Sequence, residues 1–169
     1  MNKITLSEID LYYGEVKMPK GFEIDRKKLT EDILSSTTNN LPFPFSKTWS
    51  ILNTYLIEHF NLNYNIHLVN KETWGNVYNS KELSLPLKQT DPVDLKNSPD
   101  YVLLYGVKIA KKSCTIKIFY DDNRRKGRSW DIPIENNQFI MFPSTQLYCV
   151  LPNRSDESNF LQTINYEYI

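Results

Sequence analysis

The periodicity of apolar residues changes once along this chain, from 3.6 to 2, and that change constrains the fold more than any other feature. Before residue 64 the recurring interval is helical. Leu29, Ile33 and Leu34 make one stripe within Arg26 to Ser35, with Asp25 placed to cap it. Trp49, Leu52, Tyr55, Leu56 and Phe60 make a second, stronger one behind the cap Ser46. From Tyr64 onward the alternation is that of strands, in 66–69, 101–109, 114–120, 138–142, 146–151 and 160–168. Ile4 to Leu6 and Ile9 to Val16 add one or two β-rich segments at the N-terminus, closed by the turn residues Pro19-Lys20-Gly21. Many short strands separated by turns predict an α+β protein dominated by antiparallel sheet, a sandwich, jelly roll or barrel with two helices laid on one sheet from outside.

No repeat or Gly/Ser linker interrupts the 169 residues, which predicts one domain over 1–169: N-terminal strands and helices over 1–63, and a β core over 64–169. The N-terminus lacks the apolar stretch of a signal peptide and no apolar run is long enough to span a bilayer, so a soluble, cytosolic protein with no membrane partner is expected. Twenty basic residues balance 20 acidic ones. No whole-molecule field therefore draws the chain to nucleic acid, and any such contact has to be local. The densest local charge is Arg124-Arg125-Lys126-Gly127-Arg128, after the strand 115–120 and just before Trp130. It reads either as a solvated hairpin tip balanced by Asp121 and Asp122, or as a contact for DNA or an acidic partner anchored by Trp130. Lys108, Lys111 and Lys112 form a second basic turn, a candidate for the same side.

Chemistry-bearing residues are few. Cys114 and Cys149 lie in apolar strands without metal-ligand spacing and are expected as buried free thiols. The two histidines, His59 and His67, offer little for nucleophilic catalysis, and no phosphate-cradling glycine motif is present.

Three segments carry a family resemblance: Trp74-Gly75-Asn76-Val77-Tyr78 running on to Pro86-Leu87-Lys88-Gln89, then Gln138 through Phe142-Pro143-Ser144 and Cys149 to Pro152-Asn153, then Arg154-Ser155-Asp156 through Phe160 to Asn165. In order and spacing, over roughly 70–166, they resemble the small 2-oxoglutarate/iron(II) oxygenase-like proteins of tailed bacteriophages. The resemblance implies a double-stranded β-helix. It also implies where that family's chemistry would sit: the first two iron ligands at Leu87 and Gln89, the third at Tyr148, and the cation that pairs with the 2-oxoglutarate carboxylate at Asn159. None of these four residues is the family's type. An iron(II) site of two imidazoles and a carboxylate cannot be built from leucine, a neutral amide and a phenol, and asparagine is no substitute for a basic partner. The expectation is therefore a protein without metal or cosubstrate, not an enzyme, that acts by binding. The resemblance further implies a host-takeover factor in the host cytoplasm, with host RNA polymerase on DNA as candidate partner. A virion structural or assembly protein is one alternative and an oxygenase with unusual ligands is another.

Overall fold

The structure, a computed structural model, describes residues 3–4, 9–123 and 126–169, and of 121–123 and 126 the backbone alone. The elements in chain order are β1 (Tyr12–Glu15), α1 (Arg26–Asn39), α2 (Lys47–Tyr64), β2 (Leu68–Tyr78), a 3-10 turn at Leu95–Asn97, β3 (Tyr101–Lys108), β4 (Thr115–Asn123), β5 (Lys126–Pro133), β6 (Gln138–Pro143), β7 (Leu147–Val150) and β8 (Asn159–Tyr168).

Both helices begin where their caps stand. The Asp25 carboxylate accepts from the Lys28 N–H, and the Ser46 hydroxyl accepts from the Trp49 N–H. Each ends on an asparagine with positive φ, Asn40 and Asn65, a residue that tolerates the left-handed turn better than most. The first helix runs on to Asn39, past the predicted end at Ser35, because its Ser-Ser-Thr-Thr-Asn tail keeps helical geometry until that turn.

Five strands in the order β1-β6-β3-β8-β2 form a large antiparallel sheet, and β5-β4-β7 form a small one. A bridge between Leu87 and Tyr148 sets the segment before it alongside β7 as a fourth lane. The central strands of the large sheet, β6, β3 and β8, are buried on both faces, whereas the outer strands β1 and β2 are not. Leu103, Tyr105, Val107, Phe160, Ile164 and Tyr166 face the helices and pack with Leu29, Ile33, Leu52, Leu56 and Phe60. Val102, Leu104, Ile140, Phe142 and Leu161 face the small sheet and pack with Ile116, Ile118, Ile132 and Val150. Each such fully buried aliphatic or aromatic side chain contributes about 1.5–3 kcal/mol. Close approach of α1 to β2 requires Gly75, since a Cβ there would collide with Ile33.

The expected α+β architecture, two helices over the antiparallel sheets of a double-stranded β-helix, is what the chain adopts. Several boundaries differ from expectation. The strand predicted over 66–69 extends through the Trp74–Tyr78 segment, which pairs with β8 along nearly its whole length. The segment carrying Trp130 is itself a strand, β5, paired with β4. The N-terminal strand is only Tyr12–Glu15; Ile4 lies in no strand, and Thr5 and Leu6 fall outside the described residues.

Candidate functional site

The fold brings together Leu87, Gln89 and Tyr148, three of the four positions that the family resemblance singles out. The Leu87 N–H donates to the Tyr148 carbonyl at 2.9 Å, and the Tyr148 N–H returns the bond to Leu87 at 3.1 Å. The Gln89 amide Nε2 donates to the Tyr148 Oη at 3.0 Å. Tyr148 is 4% exposed, lies edge-on to Phe142 at 4.9 Å, and packs within the core between the sheets, where Leu87 also rests. Burial pushes its phenol above the usual range, opposed only by the bond from Gln89. Asn159, 1% exposed, begins β8 opposite Tyr78. Its Oδ1 accepts from the Ala110 N–H and the Ser113 hydroxyl, both at 2.9 Å, and so ties down the β3–β4 turn.

These residues do not fit an iron centre: an aliphatic side chain, an amide and a neutral phenol do not supply two imidazoles and a carboxylate, and the amide and the phenol are bonded to each other. Asn159 does not fit a carboxylate's counter-ion, since its amide is neutral and its oxygen already accepts two bonds. Among the described residues, no group of three or more His, Cys, Asp or Glu side chains is placed to hold a metal. His59 stacks on Tyr55 on the second helix, with its Nδ1 3.3 Å from the Asn63 amide, and His67 lies exposed just before β2. Both cysteines are buried free thiols, and burial pushes that of Cys114 up to about 12, which makes it a poor nucleophile.

Tyr148 and Trp130 flank Ile118 from opposite sides in one row across the small sheet, so that Leu87, Tyr148, Ile118 and Trp130 follow one another strand by strand. The row opens to solvent at its far end, where Trp130 is 48% exposed and meets Tyr13 of β1 edge-on at 5.8 Å. That contact bridges the free edges of the two sheets. On one side of it lies a cleft of about 540 Å³ floored by Ile118 and Phe142, and on the other a cleft of about 500 Å³ floored by Ile132, Ile134 and Ile140. The sequence points to Trp130 but not to Tyr13, more than a hundred positions away. The tyrosine pair Tyr12-Tyr13 is the available signal: Tyr12 turns to the helices and Tyr13, opposite Ile140, to the space between the sheets.

Arg124, Arg125 and the side chain of Lys126 lie outside the described residues; Arg128 is exposed on β5. Lys111 and Lys112 precede the start of β4 at Thr115, whereas Arg128 pairs with Asp121, six steps along that strand and roughly 20 Å away.

No protein-family model matches the chain, and no curated protein matches it in sequence. Solved structures do match it in fold. AviO1 from Streptomyces viridochromogenes Tue57 superposes with a TM-score of 0.66 at 13% identity, covering 93% of this chain and 89% of that one. A Pseudomonas putida prolyl-4-hydroxylase gives 0.66 at 11%, covering 93% and 87%. The non-haem α-ketoglutarate-dependent epimerase SnoN from nogalamycin biosynthesis gives 0.66 at 8%, covering 93% and 78%. The chain therefore has the fold of the 2-oxoglutarate/iron(II) oxygenases. This corrects the expectation that the protein is not an enzyme, which rested on four replaced residues: a hydroxylase and an epimerase stand among its structural neighbours. Missing donors at Leu87, Gln89 and Tyr148 bear on one metal position and do not remove catalysis from the fold.

Proposed function

We propose that this protein uses its oxygenase-like double-stranded β-helix to recognise a macromolecular partner along the β4–β5 side, and that the partner is a transcription complex, RNA polymerase on DNA. One observation carries the reading: Tyr148 and Gln89, at the positions to which the sequence resemblance assigns metal ligands, are bonded to each other in the interior, while the small sheet exposes Tyr120, Arg128 and Trp130 at its β4–β5 edge. The sequence adds Arg124, Arg125 and Lys126 at that hairpin. A chain with no net charge needs its cations concentrated in this way to gain from phosphates. Binding to a reconstituted elongation complex, measured across a salt series, tests the proposal. Replacing Arg124, Arg125, Lys126 and Arg128 together with alanine should weaken binding and flatten the slope of log affinity against log salt by about 1 for each phosphate no longer neutralised. No measurable binding by the unaltered protein, or an unchanged slope in the variant, overturns the reading.

A second reading, oxygenase chemistry with ligands other than those at Leu87, Gln89 and Tyr148, draws support from the hydroxylase and epimerase that share the fold. Anaerobic titration with iron(II) and 2-oxoglutarate, followed by assay for succinate on admission of oxygen, separates it from the first. Stoichiometric iron with succinate release selects the enzyme reading.

A further inference from the structure

The seam between β1 and β5 differs in charge from the rest of the molecule. Its two clefts are lined by Asp10, Glu15, Asp131 and Glu135 and by no Lys, Arg or His among the described residues, in a chain whose formal charge is zero. Lys117, from the far side of Asp131, partly balances that one carboxylate at 3.0 Å. Between the carboxylates the surface is aromatic and aliphatic: Tyr13 is 62% exposed and Trp130 48%, with Ile132 and Ile134 beneath.

Backbone groups face the same seam. The Ile134 N–H donates to the Cys114 carbonyl, so by the alternation of an antiparallel ladder residues 130, 132 and 134 turn toward β4 while Ser129 and Asp131 turn outward. Pro133 turns outward with its carbonyl alone. On the other side the Val16 N–H donates to the Asn137 carbonyl, which leaves Tyr13 and Glu15 with their N–H and C=O groups turned away from β6. Both strands end their sheets. The two clefts adjoin through the Tyr13–Trp130 contact, and the groove from Ile9 to Glu15 matches about six residues of extended chain.

We propose that this seam is a docking groove for an extended peptide with Lys or Arg alternating with apolar residues. Its apolar side chains rest on Tyr13, Trp130 and the isoleucines, its cations meet Glu15 and Glu135, and its backbone pairs with the outward groups of β1 or β5. Strand addition of this kind takes affinity from main-chain bonds and selectivity from alternate side chains. The inference goes beyond the proposed function, which concerns the basic hairpin.

Calorimetry of the full chain with an acetylated, amidated heptapeptide of alternating lysine and valine tests it, against the same peptide with glutamate for lysine and against n-butylamine. The lysine peptide should bind and the glutamate peptide and the amine should not. The pair Glu15→Gln and Glu135→Gln, both at exposed positions, should weaken binding about fivefold, as two rim ion pairs allow. Trp130→Ala should weaken it about tenfold, as a central aromatic anchor does. Equal binding of both peptides, or an unchanged affinity in the Glu15→Gln/Glu135→Gln protein, overturns the proposal. Binding of the amine as tightly as the peptide replaces it with a small-cation site.

Discussion

Tyr148 and Trp130 stand two strands apart on either side of Ile118, yet one is 4% exposed and the other 48%. Both project into the same space between the sheets. At Tyr148 that space is closed by the Leu87 lane, which adds a strand's width of cover and brings Gln89 to the phenol. At Trp130 no further strand follows among the described residues, so the sandwich ends in a free edge and the aromatic ring is left half in water. The difference shows that what a position in this fold can do depends on whether its sheet continues past it. A polar side chain that would be an open ligand in a wider cavity becomes a packed and internally bonded one where an extra lane lies over it.

The comparison predicts unequal costs at its two ends. Tyr148→Ala removes a fully packed ring with its bond to Gln89, and should lower unfolding free energy in urea by about 3–5 kcal/mol. A loss below about 1 kcal/mol would mean that the position is an open pocket after all. Gln89→Leu leaves the buried Tyr148 hydroxyl without its donor and should cost about 1–3 kcal/mol, with little change in Gln89→Glu at a pH where the new carboxyl is protonated. Iron(II) affinity should be no higher in either variant than in the unaltered protein.

A third test uses pH on the inner face. Burial raises the Cys114 thiol from 9.0 to about 12, so the folded state holds its proton more tightly than the unfolded chain does. The stability this contributes is complete below about pH 9 and is lost as pH rises from there through about 12. Raised phenols at Tyr148 and Tyr78 act in the same direction at higher pH. Urea midpoints should therefore fall between about pH 8.5 and 10.5, and fall less in Cys114→Ala; equal slopes in the two proteins would place the thiol in contact with water. The smallest effect belongs to the open end. Trp130→Ala, half exposed already, should change stability by less than about 1 kcal/mol. A loss as large as that of Tyr148→Ala would make the seam part of the core rather than a surface.

Much of this architecture is legible in the chain. Asp25 and Ser46 mark the helix starts because a cap bonds backbone groups two or three residues away. The stripe from Trp49 to Phe60 and the alternation in 138–142 read correctly because one face of a helix, or both faces of a central strand, must be buried wherever the partner lies. The strand nature of 126–133 is hidden by its Lys, Arg, Ser and Asp residues, which suit an edge strand facing water and carry little alternation.

Residue identity and local pattern are thus enough for the helices and for most of the strands. Closure of the whole fold was needed to establish that Gln89 and Tyr148 satisfy one another, that Asn159 holds the Ala110–Ser113 turn, that Arg128 pairs with Asp121 far along β4 from Lys111 and Lys112, and that Tyr13 meets Trp130. The side-chain contacts among these join residues 46 to 117 positions apart. Pairing partners of that kind are chosen by closing the sandwich around its core, a sum over many buried side chains that no local pattern in the chain displays.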